Sequence, residues 1–264
     1  MNAATRAYDV TARRRPPSGA AAAIPWAFAL ATIGTQIAYP LVDGAWLRRV
    51  TIASVVLFFL ASVTHALAHR GLRWALTFVV VTAGGGLLAE AVGVRTGWPF
   101  GDYTYSASLG PQVFDVPIVV PMAWTMMAYP MFLAARRLTR RWTAVVGAVG
   151  LAGWDVFLDP QMVADGRWHW SDPTPSLPGI YSVPVTNLVG WLAVAFLMML
   201  VLCGTVPRDR GSETLPAVLL LWTFVGSVVG NVFWFGSHSV AIAGGIAMGI
   251  VVLPYTWVLW QSRP

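Results

Sequence analysis

The chain of 264 residues is 57% hydrophobic and only 11% charged, with a formal net charge of +6. A soluble domain carries about 25% charged residues. A mean hydropathy of +0.65 leaves more apolar surface than one water-facing core can hide, so a soluble fold is excluded and lipid must solvate much of the chain. The positive charge is all arginine, set in short segments between apolar runs. That pattern fits membrane topology better than nucleic-acid binding.

In chain order, residues 1–20 are polar and hold Arg6, Arg13, Arg14 and Arg15 before Pro16 and Pro17. They read as a disordered basic cytoplasmic tail. The next apolar run is too long for a signal-peptide core and reads as a retained first span. Residues 21–264 then form one transmembrane helical domain. Its eight predicted spans fall near 24–42, 51–69, 72–93, 116–135, 142–159, 183–204, 215–235 and 237–259, each close to the roughly 20 residues a bilayer requires. The predicted fold class is an all-α polytopic transmembrane helix bundle, with seven spans if one segment is re-entrant. Short connections make 51–93 and 215–259 helical hairpins.

A cytoplasmic N-terminus with alternating spans places thirteen arginines inside and four outside, in line with the positive-inside rule. The expected location is the cell (plasma) membrane. Most acidic residues then collect at the outer end. Two outer segments, 94–115 and 160–182, are rich in Gly, Pro, Trp and Tyr, a mixture that predicts structured loops over the bundle.

An ionisable residue within a span is costly and therefore a functional candidate. Glu90 lies late in the third span. Asp155 and Asp159, in GWDVFLDP, are spaced i, i+4, with Cβ atoms roughly 6 Å apart on one helix face. Two carboxyls that close do not both ionise easily at a low-dielectric rim, so one can act as general acid beside its base. The competing reading is that Asp159 ends its helix before Pro160 and is simply wet. The D-x-x-x-D spacing also suits a Mg²⁺–diphosphate site, with Arg95 and Arg167 the nearest outer arginines.

Asn187 with Trp191, and Asn231 with Trp234, each set an amide near a Trp on one helix face. Such an amide can orient a carboxylate or bond between helices. His65 and His69 share a face beside Arg70, but with no carboxylate or cysteine expected at that inner rim they read as interfacial rather than metal ligands. No metal site is predicted. His169 and His238 can shuttle protons, with a plain interfacial position the more frequent role for such residues. Cys203, the lone cysteine, reads as a packing residue.

The strings TGWPFGDYTYSASLGPQVFDVPIVVPMAW, GWDVFLDPQMVADGRWHW and GIYSVPVTNLVGW resemble the membrane carotenoid hydratase family, which includes γ-carotene/lycopene 1,2-hydratases and bisanhydrobacterioruberin hydratase. The resemblance covers about residues 85–195. It implies addition of water across the terminal C1=C2 double bond of an acyclic carotenoid, giving a tertiary alcohol, with no cofactor. Protonation at C2 leaves a tertiary cation at C1, which water captures. That chemistry needs a dry acid, a water held by a base, and aromatic faces that stabilise positive charge. Asp155 is expected as acid, Asp159 or Glu90 as base, and Asn187 as their positioner. Trp98, Tyr103, Tyr105, Trp124, Trp154, Trp168, Trp170 and Trp191 are the candidate substrate-binding aromatics. Small-residue segments at 84–86 and 243–249 allow close helix packing or line a polyene groove.

Expected partners are the acyclic carotenoid, water, membrane lipid and other carotenoid-pathway enzymes, with no nucleic acid. Two other classes stay open at this point. One is a Mg²⁺-dependent membrane prenyltransferase or carotenoid elongase, although the chain has no second D-x-x-x-D motif. The other is a non-enzymatic carotenoid-binding or transport protein.

Overall fold

The computed structural model describes residues 17–209 and 211–262. Arg6, Arg13, Arg14, Arg15, Arg210 and Arg263, and most of the expected N-terminal tail, lie outside the described residues. The chain is an all-α polytopic membrane bundle. Eight helical rods run through the described residues: α1 (Ala20–Ala38), α2 (Gly44–Arg70), α3 with α4 (Leu72–Val79 and Gly85–Thr96), α5 (Val119–Leu138), α6 (Thr143–Ala164), α7 (Val185–Thr205), α8 (Thr214–Phe233) and α9 (His238–Gln261). Helix α1 thus starts at Ala20, earlier than the apolar run implies.

Six rods are long and apolar enough to cross a bilayer; α5 and α6 are not among them. The reason is their position. In α5 every residue from Trp124 to Ala135 is buried, and α6 is buried along most of its length. Helix α2 packs on α5, while α7 and α9 pack on α6. Helices shielded from lipid by other helices need no apolar outer surface. The close packing uses glycine: a Cβ on Gly153 would lie 2.6 Å from backbone atoms of Ala247 and Met248, and one on Gly244 would meet the Phe157 ring at 2.8 Å. The 243–249 segment is therefore an α6–α9 contact, as small-residue packing in membranes predicts.

Between α3 and α4, Val80–Gly84 form a π-helical turn, pinned to α5 by the Thr82–Thr125 hydroxyl bond of 2.9 Å. Gly97 closes α4 in the left-handed region (φ 71°), where a side chain is disfavoured. The chain then enters β1 (Tyr103–Tyr105), followed by the short hairpin of β2 (Gln112–Val113) and β3 (Val116–Pro117). After α6 come β4 (Trp168–Trp170) and the hairpin of β5 (Ser176–Leu177) and β6 (Ile180–Pro184).

The two aromatic outer segments are joined to one another. Strands β1 and β4 pair antiparallel, with Tyr103 opposite Trp170 and Tyr105 opposite Trp168. Because side chains alternate along a strand, Tyr-Thr-Tyr and Trp-His-Trp turn their aromatics to one face. Tyr103, Trp168 and Trp170 are buried and Tyr105 half-buried, while Thr104 and His169 are exposed. This ribbon roofs one end of the bundle. The structured parts of the loops are narrower than 94–115 and 160–182, since α4 runs to Thr96 and α6 to Ala164.

Candidate active site

Beneath the ribbon lies a cavity with about 690 Å³ of empty space, walled by α2, α4, α5, α6, α7 and the aromatic loop residues. Its lining is mainly apolar and aromatic, with few polar groups, among them Glu90, Asp159 and Asn187. Such a lining suits an apolar ligand presented to a small polar centre.

Glu90 on α4 is 4% exposed. Its Oε2 accepts from the Tyr103 hydroxyl at 2.5 Å and the Tyr105 hydroxyl at 2.8 Å, and its Oε1 from Trp124 Nε1 at 2.9 Å. Both loop phenols are held well above the usual tyrosine range, first by burial and then by the neighbouring Glu90 charge. They therefore keep their protons and remain donors. Gly93, one turn beyond Glu90, makes room for Tyr103: a Cβ there would sit 2.8 Å from the Tyr103 hydroxyl oxygen.

Asp155 and Asp159 on α6 are both buried. The Asn187 amide nitrogen, at the start of α7, donates to both carboxyls: to Asp155 Oδ2 at 3.0 Å and, in a short bond, to Asp159 Oδ2. Trp168 Nε1 donates to Asp159 Oδ1 at 3.1 Å. Asp155 Oδ1 is buried with no hydrogen-bond partner. Asp159 does not end its helix: Pro160 lies inside α6 and the helix continues one further turn. The wet, helix-ending reading of Asp159 is overturned.

The two aspartates share only the smaller of two spaces. Asp159 and Asn187 line the large cavity, whereas Asp155 lines a smaller one of about 280 Å³, whose wall also includes Asp159 and Asn187. The Asp159–Asn187 pair thus forms a partition between two chambers. Asp155, the expected acid, thus lines the smaller chamber, and Asp159, one turn along the same helix face, also reaches the large one.

Six of the eight candidate aromatics line the large cavity: Tyr103, Tyr105, Trp124, Trp168, Trp170 and Trp191. Trp124 and Trp191 are stacked, with centroids 3.8 Å apart and planes within 8°. Two candidates need correction. Trp98 is 72% exposed, because it stands in the turn beyond α4. Trp154 is buried but behind the wall, edge-on to Trp191 at 6.1 Å.

Other sequence readings also change. His169 points outward beside Thr104. Asn231 donates to Ser227 O of its own helix and Trp234 is exposed, so that pair does not join the site. Cys203 is exposed rather than packed. At the opposite end, His65 Nδ1 bonds the Tyr129 hydroxyl at 2.8 Å, and Arg70 Nε lies 3.3 Å from Asp209. A carboxylate does therefore reach that rim, where it pairs with Arg70. Arg95 lies against Asp115 and Arg167 donates to Ser108. Among the described residues no three His, Cys, Asp or Glu side chains gather as a metal-ligand set.

Sequence reasoning missed Thr51, Ile52 and Val55 of α2, which form one cavity wall. Nothing in that apolar run distinguishes them from lipid-facing neighbours. It also missed the seat of Trp124: a Cβ on Gly86 would lie 2.7 Å from the indole Cγ, so the 84–86 glycines serve ring placement at their last position.

Residues 50–254 match the model of a family described as carotenoid biosynthesis protein. Over 186 residues the chain is 31% identical to the bisanhydrobacterioruberin hydratase of Haloarcula japonica, covering 66% of this chain and 59% of that protein. The matched stretch therefore spans less than two thirds of the relative's length. No solved structure matches the chain.

Proposed function

The chain belongs to the carotenoid biosynthesis protein family, and from that premise we propose that it is a hydratase adding water to the terminal C1=C2 double bond of an acyclic carotenoid. The observation that carries the reading is one apolar, aromatic-walled cavity holding two carboxyls with opposite hydrogen-bond surroundings. Glu90 accepts from three donors and needs no proton to satisfy its oxygens. The Asp155–Asp159 pair has fewer donors than oxygens and leaves Asp155 Oδ1 without a partner. One proton held by the pair relieves the repulsion between two buried carboxylates.

The roles follow. The end group enters the large cavity with its double bond at Asp159. The alkene electron pair takes the Asp159 proton, forming the C2–H bond and leaving a cation at C1. The faces of Trp124, Trp168, Trp170 and Trp191 stabilise it, an attraction that strengthens in a dry site. Water held by Glu90 forms the C1–O bond and passes its proton to the Glu90 carboxylate. Asn187 keeps Asp159 at the partition. The substrate reaches this cavity from the bilayer, where a long polyene dissolves. The multi-pass protein acts in the cell membrane with its N-terminus in the cytoplasm, a reading supported by the arginine distribution.

Expression in a lycopene-producing host tests the proposal. Pigment mass should rise by one water per modified end group, and Asp159→Asn should abolish the gain while pigment still co-purifies with the protein. Pigment bound but unchanged in mass with the wild-type chain would instead indicate a binding or transport protein.

A further inference from the structure

We propose that the smaller cavity is a water-binding chamber through which solvent reprotonates the site, with Asp155 as the relay between that water and Asp159. The inference rests on the hydratase reading and deepens it. Its own observations are the second chamber, the orphaned oxygen and the shared wall.

The chamber, about 280 Å³ of empty space with its open mouth included, lies between α6, the start of α7 and the β5–β6 hairpin. Its rim residues Pro160, Leu177 and Val183 are half-buried, so the chamber sits just below the surface of the roofed end. Its buried wall carries Asp155, 2% exposed, whose Oδ1 has no protein partner. A buried carboxyl oxygen without a partner is destabilising unless water supplies the bond, and a cavity with polar groups on its wall is where buried water settles. Asp155 and Asp159 both accept from one Asn187 nitrogen, which sets their carboxyls side by side so that a proton can cross directly between them.

The proton count closes over one cycle. Asp159 gives its proton to C2, and the attacking water gives one to Glu90. Asp155 then takes a proton from chamber water and passes it to the Asp159 carboxylate. Glu90 returns its proton to solvent, and the net change is alkene plus water to alcohol. Asp155 touches no reacting carbon in this scheme; it is a positioning and relay residue that acts through Asp159.

The scheme separates the first turnover from later ones. Purified Asp155→Asn protein in detergent, with enzyme in excess over lycopene, should form product at close to the wild-type rate. With lycopene in excess it should give a burst of about one product per enzyme and then turn over about 100-fold more slowly, the scale of a lost proton transfer. Added formate, a small acid able to enter the chamber, should restore the slow phase. Val183→Phe, which fills the chamber and leaves every carboxyl in place, should show the same burst. Unchanged steady-state turnover in Asp155→Asn would overturn the inference and leave the hydratase reading standing. Equal loss in both regimes without formate rescue would overturn it too, since Asp155 would then act in the chemistry or the packing. Wild-type protein that leaves lycopene unchanged would overturn both readings together.

Discussion

Replacing Gly86 by alanine adds one methyl group beneath the active site without touching a polar atom. The new Cβ would lie 2.7, 2.8 and 3.0 Å from Cγ, Cδ1 and Cβ of Trp124. Ordinary contact begins near 3.4 Å, so the indole must retreat by about 0.7 Å. It cannot tilt freely, because it is fully buried and stacked on Trp191 at 3.8 Å. A retreat of that size takes the 2.9 Å bond from Nε1 to Glu90 beyond hydrogen-bonding distance. A hydrogen bond to a charged group contributes about 1.5–3 kcal/mol. If that interaction is needed at the transition state, kcat falls roughly ten- to hundred-fold. Overpacking adds a stability cost of about 1–3 kcal/mol. Gly84→Ala and Gly85→Ala are internal controls: nothing lies within 4 Å of the first Cβ, and only Met198 Cε, at 3.8 Å, lies near the second. The assay is hydrated pigment formed per unit of folded protein, with thermal unfolding in detergent measured in parallel. If Gly86→Ala matches Gly85→Ala in turnover, the claim that Trp124 must be held against Glu90 is wrong.

Tyr103→Phe removes the 2.5 Å donor to Glu90 and leaves the Tyr105 and Trp124 donors in place. Turnover should fall about ten-fold, the worth of one hydrogen bond to a charged acceptor, with KM for the carotenoid little changed in a steady-state assay. Trp98→Ala and His169→Ala should each leave pigment hydration within about two-fold of wild type, because both side chains point away from the cavity and exposed substitutions act weakly. Gly153→Val should destabilise the bundle by more than about 3 kcal/mol, since its Cβ would meet α9 backbone at 2.6 Å; a detergent melting curve reads this directly.

The helices were legible because a bilayer demands long apolar runs, and GWDVFLDP was legible because buried acids are costly. The tertiary origin of the site was harder to read. The three donors on Glu90 come from residues 13, 15 and 34 positions away, and no local pattern encodes such a set. The alternation in Tyr-Thr-Tyr and Trp-His-Trp is visible in the sequence, but each run is too short to announce its partner strand. Pro160 misled because a proline usually marks a helix boundary, whereas here it falls near the end of α6 and the last turn forms around it. That Asp159 reaches both chambers and Asp155 only the smaller depends on where Asn187 and the β5–β6 hairpin sit, which spacing on α6 does not report. Lipid-facing and cavity-facing residues of α2 are equally apolar, so its wall of the cavity left no trace.

The sheathing of α5 and α6 bears on how the protein is made. The rod that carries both aspartates, and its neighbour, are the two that do not qualify as spans by length and composition alone. During synthesis they leave the translocation machinery before α7, α8 and α9 exist. They must be retained there, or be shielded by α2, until the later helices close around them. A chain truncated after α6 should therefore be degraded rather than accumulate. Split versions of the protein should rejoin only when the break falls before α5 or after α7, so that both central rods are delivered with a lipid-compatible companion.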